Sequence, residues 1–101
     1  MKINGAQAMI NALLAEGVDT LFGYPGGGIM PFYNQLYDYR DKLRHILVRH
    51  EQAAVHAAEG YARLTGKVAA VCVTSGPGGT NAITGVLGGW QDSIPMFVVS
   101  G

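Results

Sequence analysis

Glu51 is the residue of this sequence best placed to do chemistry. It begins the helical pattern in Arg49-His50-Glu51-Gln52-Ala53-Ala54-Val55-His56-Ala57-Ala58-Glu59-Gly60-Tyr61-Ala62-Arg63, on the stripe that continues through Ala54, Val55, Ala58, Tyr61 and Ala62. A carboxylate at the head of an apolar stripe is costly to bury unless something holds it. Two readings are open: a ligand is the partner, or this is a first-turn glutamate favoured by the helix dipole and half in water. A second segment with chemical potential is Thr74-Ser75-Gly76-Pro77-Gly78-Gly79-Thr80-Asn81. Its glycines and proline would let backbone approach a ligand closely, although the same residues make ordinary turns.

The elements that must position these residues follow from periodicity and punctuation. A first helix runs from a cap at Asn4 to a stop at Gly17, with Ala6, Met9, Ile10, Leu13 and Leu14 at helical spacing. Thr20-Leu21-Phe22 reads as a short strand, broken by Gly23-Tyr24-Pro25-Gly26-Gly27-Gly28. A second helix begins near Pro31 and carries Phe32, Leu36 and Tyr37 inward. After a polar connector through Arg40, Asp41 and Lys42, His45-Ile46-Leu47-Val48 is apolar enough for a buried strand.

A third helix spans Glu51 to Thr65, with Glu59 and Arg63 four apart and Gly66 as its stop. Ala69-Ala70-Val71-Cys72-Val73-Thr74 is the clearest strand and is expected at the centre of the sheet. A fourth helix, from Thr80 to Trp90, places Ile83, Val86, Leu87 and Trp90 on one face. Its Gly85, Gly88 and Gly89 predict close packing of another element. Met96-Phe97-Val98-Val99-Ser100 is the last strand. Such alternation predicts an α/β fold, a parallel sheet flanked by helices with right-handed crossovers.

Open parallel sheets bind ligands beyond the carboxyl ends of their strands. Three segments fall there: the loop of residues 24–28, the Arg49-His50-Glu51 corner and the loop of residues 74–81. Composition narrows the ligand. In 101 residues, 7 basic and 7 acidic side chains cancel, which removes the footprint of a nucleic-acid or membrane-surface binder. Neither a bilayer-spanning run nor a signal peptide is read, so a cytoplasmic location is expected. One compact domain is the ceiling for this length.

Five motifs in order, Gly23-Tyr24-Pro25-Gly26-Gly27, Arg49-His50-Glu51-Gln52, Ala58-Glu59-Gly60-Tyr61-Ala62-Arg63, Thr74-Ser75-Gly76-Pro77-Gly78 and Asp92-Ser93-Ile94-Pro95, carry a resemblance that covers nearly the whole chain. The chain resembles the N-terminal pyrimidine-binding (PYR) domain of thiamine diphosphate-dependent enzymes, and within them is most similar to acetolactate synthase (acetohydroxyacid synthase) large subunits. That resemblance implies a thiamine diphosphate-binding fold, here an incomplete N-terminal PYR domain, with the remaining domains absent. It implies decarboxylation of pyruvate and ligation of the hydroxyethyl unit to a second 2-oxo acid, in branched-chain amino-acid biosynthesis.

The resemblance makes Glu51 catalytic, because it matches the family glutamate that stabilises the imino tautomer of the cofactor's aminopyrimidine. Cofactor-binding residues would be Tyr24, Pro25, Gly26, Thr74, Gly76, Pro77 and Asn81 together with Glu51. The diphosphate and its Mg2+ are held in the family by a separate carboxy-terminal domain, usually of the partner subunit, so no metal ligand is expected in this chain. A homodimer or higher homo-oligomer through the pyrimidine domain is implied, and room is left for FAD in the full-length enzyme and for a regulatory small subunit. Alone, the chain is expected to be catalytically silent.

Other readings of the same residues exist. Another thiamine diphosphate-dependent 2-oxo acid decarboxylase or carboligase shares the same motifs. A nucleotide-binding module would need Gly-x-Gly-x-x-Gly or a lysine after the glycines, and neither is present in residues 76–81. A non-catalytic interaction module would use the small face of Ala53, Ala54, Ala57 and Ala58 against a partner helix. His45, His50 and His56 lack a zinc spacing, His50 is expected beside the cofactor loop, and Cys72 reads as a small buried strand residue. Trp90, Tyr33 and Tyr37 read as core or interface aromatics. Gly28 stands where acetolactate synthases often carry alanine.

Overall fold

The computed structural model describes residues 2–101. Helix α1 covers Gly5–Ala15 and β1 Thr20–Gly23. A 3-10 turn at Gly27–Ile29 leads into α2, Met30–Leu36, and β2 covers Arg44–Leu47. Then come α3 (Glu51–Thr65), β3 (Ala70–Val73), α4 (Pro77–Asn81), α5 (Ile83–Gln91) and β4 (Phe97–Ser100). The strands form one four-stranded sheet in the order β2-β1-β3-β4. All three pairings are parallel, with Phe22 opposite both Ile46 and Val71, and Cys72 opposite Val99. The expected α/β class and central β3 are both present.

Local chemistry explains the boundaries. Asn4 and Gln7 form a reciprocal capping box at the start of α1. At its other end α3 stops at Gly66, which adopts a left-handed conformation with φ 73°. Strand side chains alternate between two cores. Leu21, Ala70 and Cys72 meet Ile10, Leu13, Phe32 and Leu36 of α1 and α2. On the opposite face Phe22, Val71 and Val73 meet Ala54, Val55 and Ala58 of α3.

Four expectations need correction. β2 is an edge strand, so Arg44 and Leu47 are exposed and His45 and Ile46 only half-buried, rather than the strand being buried on both faces. Tyr37 lies beyond the end of α2 and points outward. The fourth helix is two helices meeting at Ala82, and it turns its glycines inward: a Cβ on Gly85 would stand 2.5 Å from Val55 Cβ. Ile83, Val86, Leu87 and Trp90 share one face, as expected, but that face is exposed. Of the small residues offered to a partner helix, Ala54 and Ala58 are buried in the chain's own core, while Ala53 is exposed and Ala57 half-buried.

At the end of the sheet away from the strands' carboxyl termini, Asp19 ties α3 to β1. Its carboxylate accepts from the Tyr61 hydroxyl at 2.7 Å and the Thr20 hydroxyl at 2.9 Å, and Lys67 Nζ lies 3.2 Å away. The Tyr61 hydrogen bond, then those of Thr20 and Lys67, lower the pKa from 3.8 to about 2. A depressed carboxylate pKa contributes stability that is fully present above 3.8 and lost as pH falls through about 2. Asp19→Asn is therefore expected to flatten the melting temperature against pH in that window, which thermal melts check. Salt should weaken the contrast, because Asp19 is half-exposed.

Candidate functional site

The strand order places a topological switch between β1 and β3. From β1 the chain passes through α2 on one face, and from β3 it passes through α4 and α5 on the other. The loops leaving these adjacent strands therefore part to opposite sides, opening the crevice where doubly wound sheets take ligands. Its floor is fixed by backbone hydrogen bonds: the Tyr24 amide donates to Cys72 O at 3.1 Å, and the Val48 amide to Gly23 O at 3.0 Å.

Thr74 joins the two loops. Its Oγ1 accepts from the Gly28 amide at 3.0 Å. Its methyl group fills the space that side chains on Gly26 and Gly78 would need, 2.5 and 2.7 Å from a Cβ built at those positions. A residue larger than glycine at either place would prise the loops apart. Gly76 turns the second loop with φ 67° and ψ −128°, a conformation open to glycine, and Pro77 then starts α4.

Glu51 is the first residue of α3, with His50 as the N-cap, its Nδ1 accepting from the Gln52 amide at 3.1 Å. His50 thus serves the helix end. The Glu51 side chain is only 6% exposed. Asn81 Nδ2 donates to Oε1 at 3.1 Å, whereas Oε2 has no hydrogen-bond partner among the described residues and lies 3.5 Å from a Cβ position on Gly78. The two readings of Glu51 now separate: it is buried rather than half-solvated, and one of its oxygens is left to accept from something else.

The expected residues converge in part. Glu51, Asn81, Thr74, Gly78 and Gly26 form one contiguous wall. Tyr24 and Pro25 stand exposed on the first loop, and Gly76 and Pro77 on the second. Arg49 and His50 point outward. Gly78, absent from the expected binding set, lies against both Thr74 and Glu51. Its signal in the sequence was a second glycine two positions after Gly76, where a bare backbone face recurs. Among the described residues no group of three or more His, Cys, Asp or Glu could hold a metal ion.

The wall thus has close glycine faces on one side and a half-satisfied carboxylate beside it. The family described as "Thiamine pyrophosphate enzyme, N-terminal TPP binding domain" matches residues 3–101. The chain belongs to this family. As a thiamine pyrophosphate enzyme domain it is 55% identical over 100 residues to the acetolactate synthase large subunit of Haemophilus influenzae, covering 99% of this chain and 17% of that protein. It is 54% identical over 99 residues to the acetolactate synthase isozyme 2 large subunit of Escherichia coli, covering 98% of this chain and 18% of that one. A thiamin diphosphate-dependent enzyme structure from Mycobacterium smegmatis superposes with a TM-score of 0.86 at 26% identity, over 99% of this chain and 19% of that chain. The chain thus spans less than one fifth of the length of the relatives it matches. No helix among the described residues is long and apolar enough to cross a membrane.

Proposed function

We propose that residues 1–101 are the first part of the pyrimidine-binding domain of an acetolactate synthase catalytic subunit, which decarboxylates pyruvate and joins the two-carbon unit to a second 2-oxo acid. The identity to acetolactate synthase large subunits favours this over another 2-oxo acid decarboxylase of the family. Family membership likewise disfavours a nucleotide-binding or non-catalytic module. The observation that carries the reading is the buried Glu51 carboxylate with Oε2 unpartnered at the crevice between the two loops.

Thiamine diphosphate, when bound, supplies the electron sink for decarboxylation and the nucleophilic carbon for ligation. The chain's own residues prepare that chemistry. Glu51 Oε2 would accept from the pyrimidine ring N–H and hold a proton on that nitrogen. Asn81 orients the carboxylate through Oε1. The carboxylate is largely buried, so the bond is stronger than it would be at an exposed site. Gly26, Gly78 and Thr74 set the width of the slot, while Tyr24, Pro25, Gly76 and Pro77 line its mouth. The Thr74 hydroxyl, already accepting from Gly28, acts by joining the loops.

The diphosphate and Mg2+ would be bound outside this segment, and any FAD likewise. A second copy would complete the site, with the exposed stripe of Ile83, Val86, Leu87 and Trp90 as its contact. A regulatory small subunit is proposed from the relatives' description as large subunits, and co-purification with the full-length enzyme tests it. The function itself is tested by assaying the full-length enzyme for acetolactate formation from pyruvate with and without thiamine diphosphate. Cofactor-dependent acetolactate is expected, while residues 1–101 alone are expected to give none. Carbon dioxide and acetaldehyde without acetolactate would instead identify a simple decarboxylase.

A further inference from the structure

Behind the first loop lies a half-buried polar pair that the proposed chemistry does not use. Tyr33, on α2, and His45, on β2, meet with Oη and Nε2 2.7 Å apart, their rings edge to face at 5.1 Å between centroids. Both side chains are half-buried. They close over Gly23, the last residue of β1: a Cβ there would collide with Tyr33 Oη and stand 2.8 Å from Cys72 O and 3.0 Å from His45 Nε2.

The position in the chain makes the contact informative. Gly23 is where the chain leaves the sheet for the crevice, and Tyr33 lies on the helix into which that loop returns. The hydroxyl therefore reaches back from the loop's exit to its entrance. His45, on the neighbouring strand paired through Leu21, supplies the fixed point. Burial lowers the His45 pKa and keeps the ring neutral, with one nitrogen to donate and one to accept. Cys72, beside the pair, is pushed up to about 12 by burial and stays a thiol. The pair is thus a neutral hydrogen bond, with no charge of its own to project into the crevice.

We propose that the Tyr33–His45 hydrogen bond is a positioning device for the cofactor loop, holding residues 23–28 in the conformation that gives the pyrimidine slot its wall. This rests on the thiamine reading above. If the bond is lost, the loop visits other conformations, and apparent cofactor affinity falls by the fraction of time spent in the competent one. Turnover at saturating cofactor should be retained, because neither residue belongs to the wall around Glu51.

The test uses the full-length enzyme carrying this segment and three variants: Tyr33→Phe, the double variant Tyr33→Phe/His45→Leu, and His45→Gln as a conservative replacement. For Tyr33→Phe the half-saturating thiamine diphosphate concentration is expected to rise about tenfold, in line with the loss of one side-chain hydrogen bond, with kcat within about twofold. The double variant removes both polar groups, so its melting temperature should recover toward wild type while the half-saturation stays raised. His45→Gln, which retains a hydrogen-bonding group, should restore part of the affinity.

An unchanged half-saturation in Tyr33→Phe would overturn the proposal. So would a double variant in which affinity returns along with stability, the signature of a purely structural pair. Should Tyr33→Phe not fold, the same comparison is read from the double variant against His45→Gln. Failure of the wild-type enzyme to bind thiamine diphosphate would overturn the parent reading as well, which separates the two failures.

Discussion

Glu51→Gln in the full-length enzyme is expected to reduce kcat for acetolactate formation by about 10²–10⁴-fold, the range for loss of a positioned proton-handling group. The amide keeps the size of the side chain and an oxygen to accept from Asn81 Nδ2, so the wall beside Gly78 should stay intact. What disappears is the negative charge that favours a proton on the facing ring nitrogen. The change in folding stability should be small, on the order of 1 kcal/mol, because one neutral hydrogen bond replaces one to a charged group. Glu51→Asp separates charge from reach. It retains the carboxylate but draws it back from the crevice by one methylene, so an intermediate rate is expected. Steady-state kinetics at saturating cofactor beside thermal melts check both variants; full activity in Glu51→Gln would remove the residue from the proposed role.

Much of the frame around that carboxylate was legible because local chemistry and global packing agree there. The bounds of α3 came out at Glu51 and Thr65 because a helix start, an apolar stripe and a terminal Gly66 coincide. β3 was readable as central because every one of its residues is apolar and buried. The site was legible as three loops on one rim. Its closure was not, since the Gly28 amide meets Thr74 across a sequence separation of 46 residues. No periodicity records such a contact. Residues 76–79 read as loop because glycine disfavours helix, yet Gly76 at positive φ sets up a start at Pro77 that the short α4 accepts.

β2 misled for a different reason. Apolar residues in a sequence indicate burial without naming the partner. In β2 exposed Arg44 and Leu47 flank half-buried His45 and Ile46, as its place at the sheet edge requires, whereas the run His45-Ile46-Leu47-Val48 read as a buried strand. The Tyr33–His45 pair was hidden by the same ambiguity. Each residue alone looked like an ordinary half-buried aromatic, and only the parallel register of β1 with β2 brings them together over Gly23.

Leu87→Glu with Trp90→Glu in the full-length enzyme is expected to shift it from dimer to half that mass and to abolish most activity at low enzyme concentration. Trp90 is 78% exposed and Ile83 61%, on a helix whose opposite side is already committed. That commitment fixes the direction of the stripe. Gly85 lies against Val55 so closely that a Cβ would stand 2.5 Å from its Cβ, and Gly89 lies against Met96. Rotating α5 to bury Trp90 within its own chain would drive larger side chains into those contacts, at a cost of about 1–3 kcal/mol or more for each overpacked site. These residues therefore leave the apolar face open, and a second copy is the proposed cover. Buried aromatic anchors of this kind commonly contribute 2 kcal/mol or more to an interface, and a carboxylate in their place adds desolvation cost. Because a partner would complete the cofactor site, specific activity of the variant should rise with enzyme concentration by mass action, unlike a variant damaged at Glu51. Sedimentation velocity and an activity titration over enzyme concentration distinguish the two, and an undiminished dimer with concentration-independent loss would place this helix face outside the subunit contact.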